Sequence, residues 1–103
     1  MQRLLPKETY QKNAEIYKVL ANPKRLEILN LLKLREFAVE ELRAIVKVPK
    51  ANLSQHLALL RHARLVTVRR SGTKAHYQII DRRIVEPCRI LHNLREHHKL
   101  TRS

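Results

Sequence analysis

Between Leu42 and Ile80 the chain runs for 39 residues without one aspartate or glutamate. The same stretch carries eight cations: Arg43, Lys47, Lys50, Arg61, Arg64, Arg69, Arg70 and Lys74. Folded surfaces normally interleave both signs, so this gap excludes an ordinary mixed surface over the middle of the chain. Other absences narrow the chemistry. A single cysteine, Cys88, excludes an intramolecular disulfide framework and fits a reducing, cytoplasmic setting. A single glycine, Gly72, leaves no glycine-rich loop to cradle a phosphate. No nucleophile–base pair stands out either, so an enzyme is not expected. No charged-then-apolar leader opens the chain, and no apolar run approaches a membrane span, so a soluble protein without a membrane partner is expected.

What is present follows the same line. Net charge is +13, of which the acid-free stretch supplies +8. Basicity concentrated in this way favours a polyanionic partner, with a merely solubilising surface as the alternative. At its centre Leu53, Leu57 and Leu60 recur at helical spacing, while Asn52, Ser54, Gln55 and His56 stand between them. Cations position a protein on phosphates, and uncharged hydrogen-bonding side chains read base edges.

With 103 residues and 44% hydrophobic content, one domain over residues 1–103 is expected, of modest stability. Glu8–Leu20 has helical periodicity, and Asn22-Pro23 then makes a cap and first-turn proline for a second, central helix through Leu34. Phe37 falls in a short connection or single strand. A third helix runs from Val39 to about Lys47 with Leu42, Ile45 and Val46 inward. Pro49 ends it, because proline disfavours the α conformation in the residue before it. A fourth helix covers about Ala51–Ala63, making residues 39–63 a helix-turn-helix. From 65 to 80 the period changes to two, around a Ser71-Gly72-Thr73-Lys74 tip where the glycine supplies backbone freedom. A last amphipathic helix covers about residues 82–99. The predicted fold is mostly α with a small β-hairpin: a winged helix-turn-helix.

Three spaced blocks then point to a family. Leu20-Ala21-Asn22-Pro23-Lys24-Arg25-Leu26-Glu27-Ile28-Leu29 and Ser54-Gln55-His56-Leu57-Ala58-Leu59-Leu60-Arg61, followed by Leu65-Val66 and an arginine-rich ribbon ending in His76-Tyr77, stand in collinear order. Together they cover about residues 14–80, and the chain resembles the ArsR-type winged-helix repressors. The resemblance implies a homodimer joined through its first and last helices, with the two fourth helices in successive major grooves of an inverted-repeat operator. Half-sites would then lie about 10 bp apart. Tyr10 and Tyr17 on the first helix, and Ile84, Cys88, Leu91 and Leu94 on the last, are the candidate interface. The alternative is that these stripes fold back on their own core.

Roles on the DNA follow from chemistry. Asn52, Ser54, Gln55 and His56 are the candidate base readers, Gln55 above all for adenine. Lys50, Arg61, Arg69, Arg70 and Lys74 are the candidate phosphate contacts. His56 has a competing role as a structural histidine. Two departures from the family's pattern bear on the fold: Arg64 stands where relatives commonly have glycine, and Ala38 replaces a hydroxyl cap, so the third helix is expected to fray.

No cofactor is expected. The family's Cys-x-Cys metal positions are Ala38 and Glu40 here. A second family ligand set, on the last helix, falls on Asp81, Arg83, Leu94 and His97, retaining two of four ligand types. The alternatives are an improvised zinc site from Cys88, His92, Glu96 and His97, or thiol sensing by Cys88 paired across a twofold axis. The inducing signal, if one exists, is not legible. The residues point to a dimeric, sequence-specific regulator binding double-stranded DNA; the alternative is an architectural or RNA-binding winged helix.

Overall fold

The computed structural model describes residues 4–97. Its order is α1 (Lys7–Leu20), α2 (Pro23–Leu34), β1 (Phe37–Ala38), α3 (Val39–Val46), α4 (Lys50–His62), β2 (Val66–Ser71), β3 (Lys74–Ile79), a 3₁₀ turn (Arg82–Val85) and α5 (Glu86–Glu96). Helix α2 is the centre, with Ile28, Leu29 and Leu32 buried. Leu42 and Val46 of α3, Leu53, Leu57 and Leu60 of α4, and Val66, Tyr77 and Val85 close on it. Asn22 caps α2, its side-chain oxygen accepting the Arg25 N–H at 3.0 Å.

Two side chains lock α3 in place. Lys24 of α2 donates to the Val46 carbonyl at 2.9 Å, satisfying an acceptor that the end of α3 leaves without a helical partner. At the other end the Glu41 carboxylate accepts the Ala38 N–H at 2.8 Å. This half of a capping box needs no hydroxyl at the cap, so the expected fraying is averted. Ala38 is further held by pairing with His76. Ile45, expected inward, is 45% exposed, because Leu42 and Val46 take the core-facing i, i+4 positions.

The wing is a three-stranded antiparallel sheet in the order β1-β3-β2, where a two-stranded ribbon was expected. Phe37 pairs with Tyr77, which buries both rings and anchors the hairpin on α3. Ser71 pairs with Lys74 across a two-residue turn, and Gly72 has φ +62. A positive φ at the first turn residue alone matches a type II′ turn, whose twist suits a hairpin. Leu65 ties this sheet to α4, its N–H donating to the Leu60 carbonyl and its carbonyl accepting from Ile80 N–H.

The last helix is interrupted. Asp81 caps the 3₁₀ turn by accepting the Arg83 N–H at 2.8 Å, and α5 starts afresh at Glu86 with Pro87 in its first turn. Its expected extension to Lys99 runs outside the described residues.

Arg64 takes φ +61, the left-handed conformation that glycine occupies without a Cβ clash. Arg64→Gly should therefore raise stability by about 0.5–1 kcal/mol, after the extra chain entropy of glycine is deducted. Urea unfolding followed by circular dichroism measures this; a lower midpoint for Arg64→Gly contradicts it.

Candidate nucleic-acid interface

The three buried leucines of α4 decide which of its residues face out. Successive helical residues turn by about 100°, so Gln55 lies roughly 200° round from Leu53, nearly opposite the core. Ala51, Ala58 and His62 share that outward side and are exposed. Asn52 and His56 lie on one flank, Ser54 and Arg61 on the other. The four predicted readers thus do not form one face: Gln55 is central, Asn52 and Ser54 are exposed on opposite flanks, and His56 is half-buried.

The start of α4 adds unpaired donors. Lys47, Val48 and Pro49 separate it from α3, and Lys47 turns the chain through φ 57. Pro49 offers no side-chain cap, and the first closed turn is Leu53 N–H to the Pro49 carbonyl at 3.0 Å. The N–H groups of Lys50, Ala51 and Asn52 therefore point outward, suited to an anionic oxygen.

Lys50 at this end, Arg61 in the last turn of α4, and Arg70 and Lys74 on the hairpin are exposed and have no ion pair among the described residues. Arg69 differs. Its guanidinium donates to Glu36 at 2.7 and 3.3 Å, and His76 Nδ1 lies 3.8 Å from the same carboxylate. The stretch that lacks acids in sequence therefore meets one in space. The Arg69 hydrogen bond holds the Glu36 carboxyl below its ordinary value, and the pair reinforces the charged form of both.

His56 is also engaged. Arg25 Nη1 lies 3.2 Å from His56 Nδ1, and Arg25 Nε donates to the Val19 carbonyl at 2.6 Å. Partial burial, then the neighbouring guanidinium, push the imidazole below its ordinary value, which keeps it neutral.

A helix seated in this way beside a basic hairpin is a winged helix-turn-helix. Residues 22–68 match the sequence model of the family described as "Bacterial regulatory protein, arsR family". The chain is 38% identical over 71 residues to the arsenical resistance operon repressor of Staphylococcus xylosus, covering 69% of this chain and 68% of that protein. The chain belongs to the arsR family of bacterial regulatory proteins. It is also 45% identical over 65 residues to the HTH-type transcriptional regulator KmtR of Mycobacterium tuberculosis, covering 63% of this chain but spanning only 50% of KmtR. Among solved structures, the homodimeric winged helix-turn-helix DNA-binding domain Mb0332 from Mycobacterium bovis superposes with a TM-score of 0.78. It has 27% identity and full coverage of both chains.

The arsR-family metal positions do not fit a metal here. Ala38 offers no ligand atom and Glu40 is left without a thiolate neighbour. On the other set, Arg83 binds Asp81 through Nε and Nη2, at 3.1 and 2.7 Å, and with the Arg83 N–H lowers the Asp81 carboxyl to about 2. A guanidinium thus already occupies that carboxylate, and Leu94 has no donor atom. The improvised set does not gather three possible ligands among the described residues: Cys88 and His92 line one open pocket, where Asn30 Nδ2 reaches Cys88 Sγ at 3.6 Å, and His92 and Glu96 approach each other at 4.0 Å. His97 ends α5 and is exposed.

The candidate dimer residues separate similarly. Tyr10, Tyr17 and Leu91 are exposed and Leu94 is half-buried, but Ile84 and Cys88 pack on the chain's own core. Ile90, 54% exposed beside Leu91, escaped the sequence pattern. So did Ala51 and Ala58, because attention to polar groups overlooks apolar ones able to meet thymine methyls. Sequence spacing did contain the signal for both alanines: they share the helical side of Gln55.

Glu36→Gln should release Arg69 toward phosphate. The slope of log affinity against log salt should steepen by roughly 0.9 per added contact, with tighter binding to any duplex. Fluorescence anisotropy over a salt series checks this; an unchanged slope contradicts it.

Proposed function

We propose that two copies of this chain pair through α1 and α5 and repress transcription by occupying an inverted repeat in duplex DNA. One observation carries most of this: Gln55 points directly away from three buried leucines, on a helix whose first N–H groups have no partner among the described residues. A surface that bound phosphate alone would have no need of an amide in that position. Gln55 bonds an adenine edge, with Asn52, Ser54 and His56 flanking it. Lys50 and Arg61 contact phosphates beside the groove, while Arg70 and Lys74 extend this along the wing. Arg69 contributes only to the extent that DNA displaces Glu36.

Pairing is supported by the exposed apolar side chains Tyr17 of α1 and Ile90 and Leu91 of α5, and by an open groove of about 260 Å³ between α1 and the last helix, lined by Ile16, Tyr17, Leu20 and Ile84 among others. The homodimeric Mb0332 domain and the repressor named for arsenical resistance support the assembly and the sign of regulation. No helix among the described residues is long and apolar enough to cross a membrane, and a DNA-reading protein of this kind works in the cytoplasm. It acts by binding rather than by catalysis, and no inducer is assigned to it.

Gln55→Ala should cost about 1–3 kcal/mol on the preferred duplex and little on random DNA, whereas Lys74→Ala should weaken both alike and lower the salt slope by about one. Parallel titrations decide, and equal losses for Gln55→Ala on both duplexes remove its base-reading role. Separately, Leu91→Glu should convert the sedimenting species to a monomer; an unchanged profile places the interface elsewhere.

A further inference from the structure

The contact between Arg25 and His56 has a chemical consequence for the DNA-facing side of α4. A guanidinium carries only donors, so at 3.2 Å the His56 Nδ1 must be the acceptor. A neutral imidazole that accepts at Nδ1 holds its proton on Nε2. Nε2 has no partner among the described residues, and no buried side-chain nitrogen or oxygen is left unsatisfied, so this N–H is open to solvent. The outward nitrogen of His56 is therefore an obligate donor.

We propose that Arg25 is a positioning residue for DNA recognition: it fixes the ring orientation and tautomer of His56 so that Nε2–H is presented to an acceptor atom on the duplex. This rests on the DNA-reading function proposed above. Suitable acceptors are guanine O6 or N7, adenine N7, thymine O4 or a phosphate oxygen; the amino groups of cytosine and adenine are excluded because two donors cannot pair. Arg25 itself is held by its bond to the Val19 carbonyl and by its place in the Asn22-capped first turn of α2. One side chain thus joins the end of α1, the start of α2 and the recognition helix.

The test combines nitrogen NMR of the imidazole with a double-mutant cycle on DNA. In the free wild-type chain the His56 resonances should show a protonated Nε2 and a bare Nδ1, and in Arg25→Gln the second tautomer should appear. Affinity for a duplex recovered by selection from random DNA should fall roughly three- to tenfold in Arg25→Gln and in His56→Ala. The double variant should bind no more weakly than His56→Ala, since both changes remove one contact. Loss confined to the selected duplex identifies a base acceptor, and equal loss on random duplex a phosphate; either supports the positioning role. A wild-type Nδ1–H tautomer, or losses that multiply in the double variant, overturns it. Should Arg25→Gln fail to fold, Arg25→Lys replaces it, one ammonium being unable to serve both Val19 and His56 in the same geometry. A wild-type chain without preference for any duplex overturns the sequence-reading function instead, and the cycle on random DNA then still decides whether Arg25 acts through His56.

Discussion

The seating of α4 on α2 through Leu53, Leu57 and Leu60 is the constraint on which the rest depends. A rotation of one residue would turn every outward side chain by about 100° and replace Gln55 with a neighbour. The leucines prevent this because each is almost wholly removed from water, and truncating such a side chain typically costs about 2–5 kcal/mol. Core packing therefore decides recognition. The Leu65 backbone carries the same register into the wing, so helix and hairpin share one reference frame.

Charge acts at longer range and with less precision. In the proposed function, Lys50, Arg61, Arg70 and Lys74 supply attraction that does not depend on sequence and weakens with salt. Glu36 holds Arg69 across the sheet, and on the same proposal this withholds one cation from the phosphates. The same bond stiffens the wing, since Glu36 precedes β1 whereas Arg69 lies on β2. His76 adds a second cation-capable group to that carboxylate.

Much of this was legible in the residues. Helical leucine spacing, the Asn22-Pro23 cap, the change to period two after Leu65 and the lone glycine each identified its element, because each is a local preference. Contacts between distant parts were not. Nothing near Glu36 in the chain announces Arg69, and nothing near His56 announces Arg25. Counting polar residues on α4 also merged two flanks into one face, although a helical projection separates Ser54 from His56. The last α-helix starts at Glu86 rather than at Arg82 because Asp81 and Pro87 restart it, a pair of capping signals hidden inside an amphipathic pattern. Cys88, a candidate for the seam, is half-buried and reaches Asn30, another contact between distant parts of the chain that spacing does not show.

In the proposed function, a fixed helix face, repeated by a twofold axis, reads sequence in duplex DNA. Selection of bound duplexes from a random pool tests it most directly. The proposed dimer predicts an inverted repeat whose half-sites are centred about one helical turn apart, roughly 10 bp. A pool that remains random after selection, or that converges on a single unrepeated site, contradicts it.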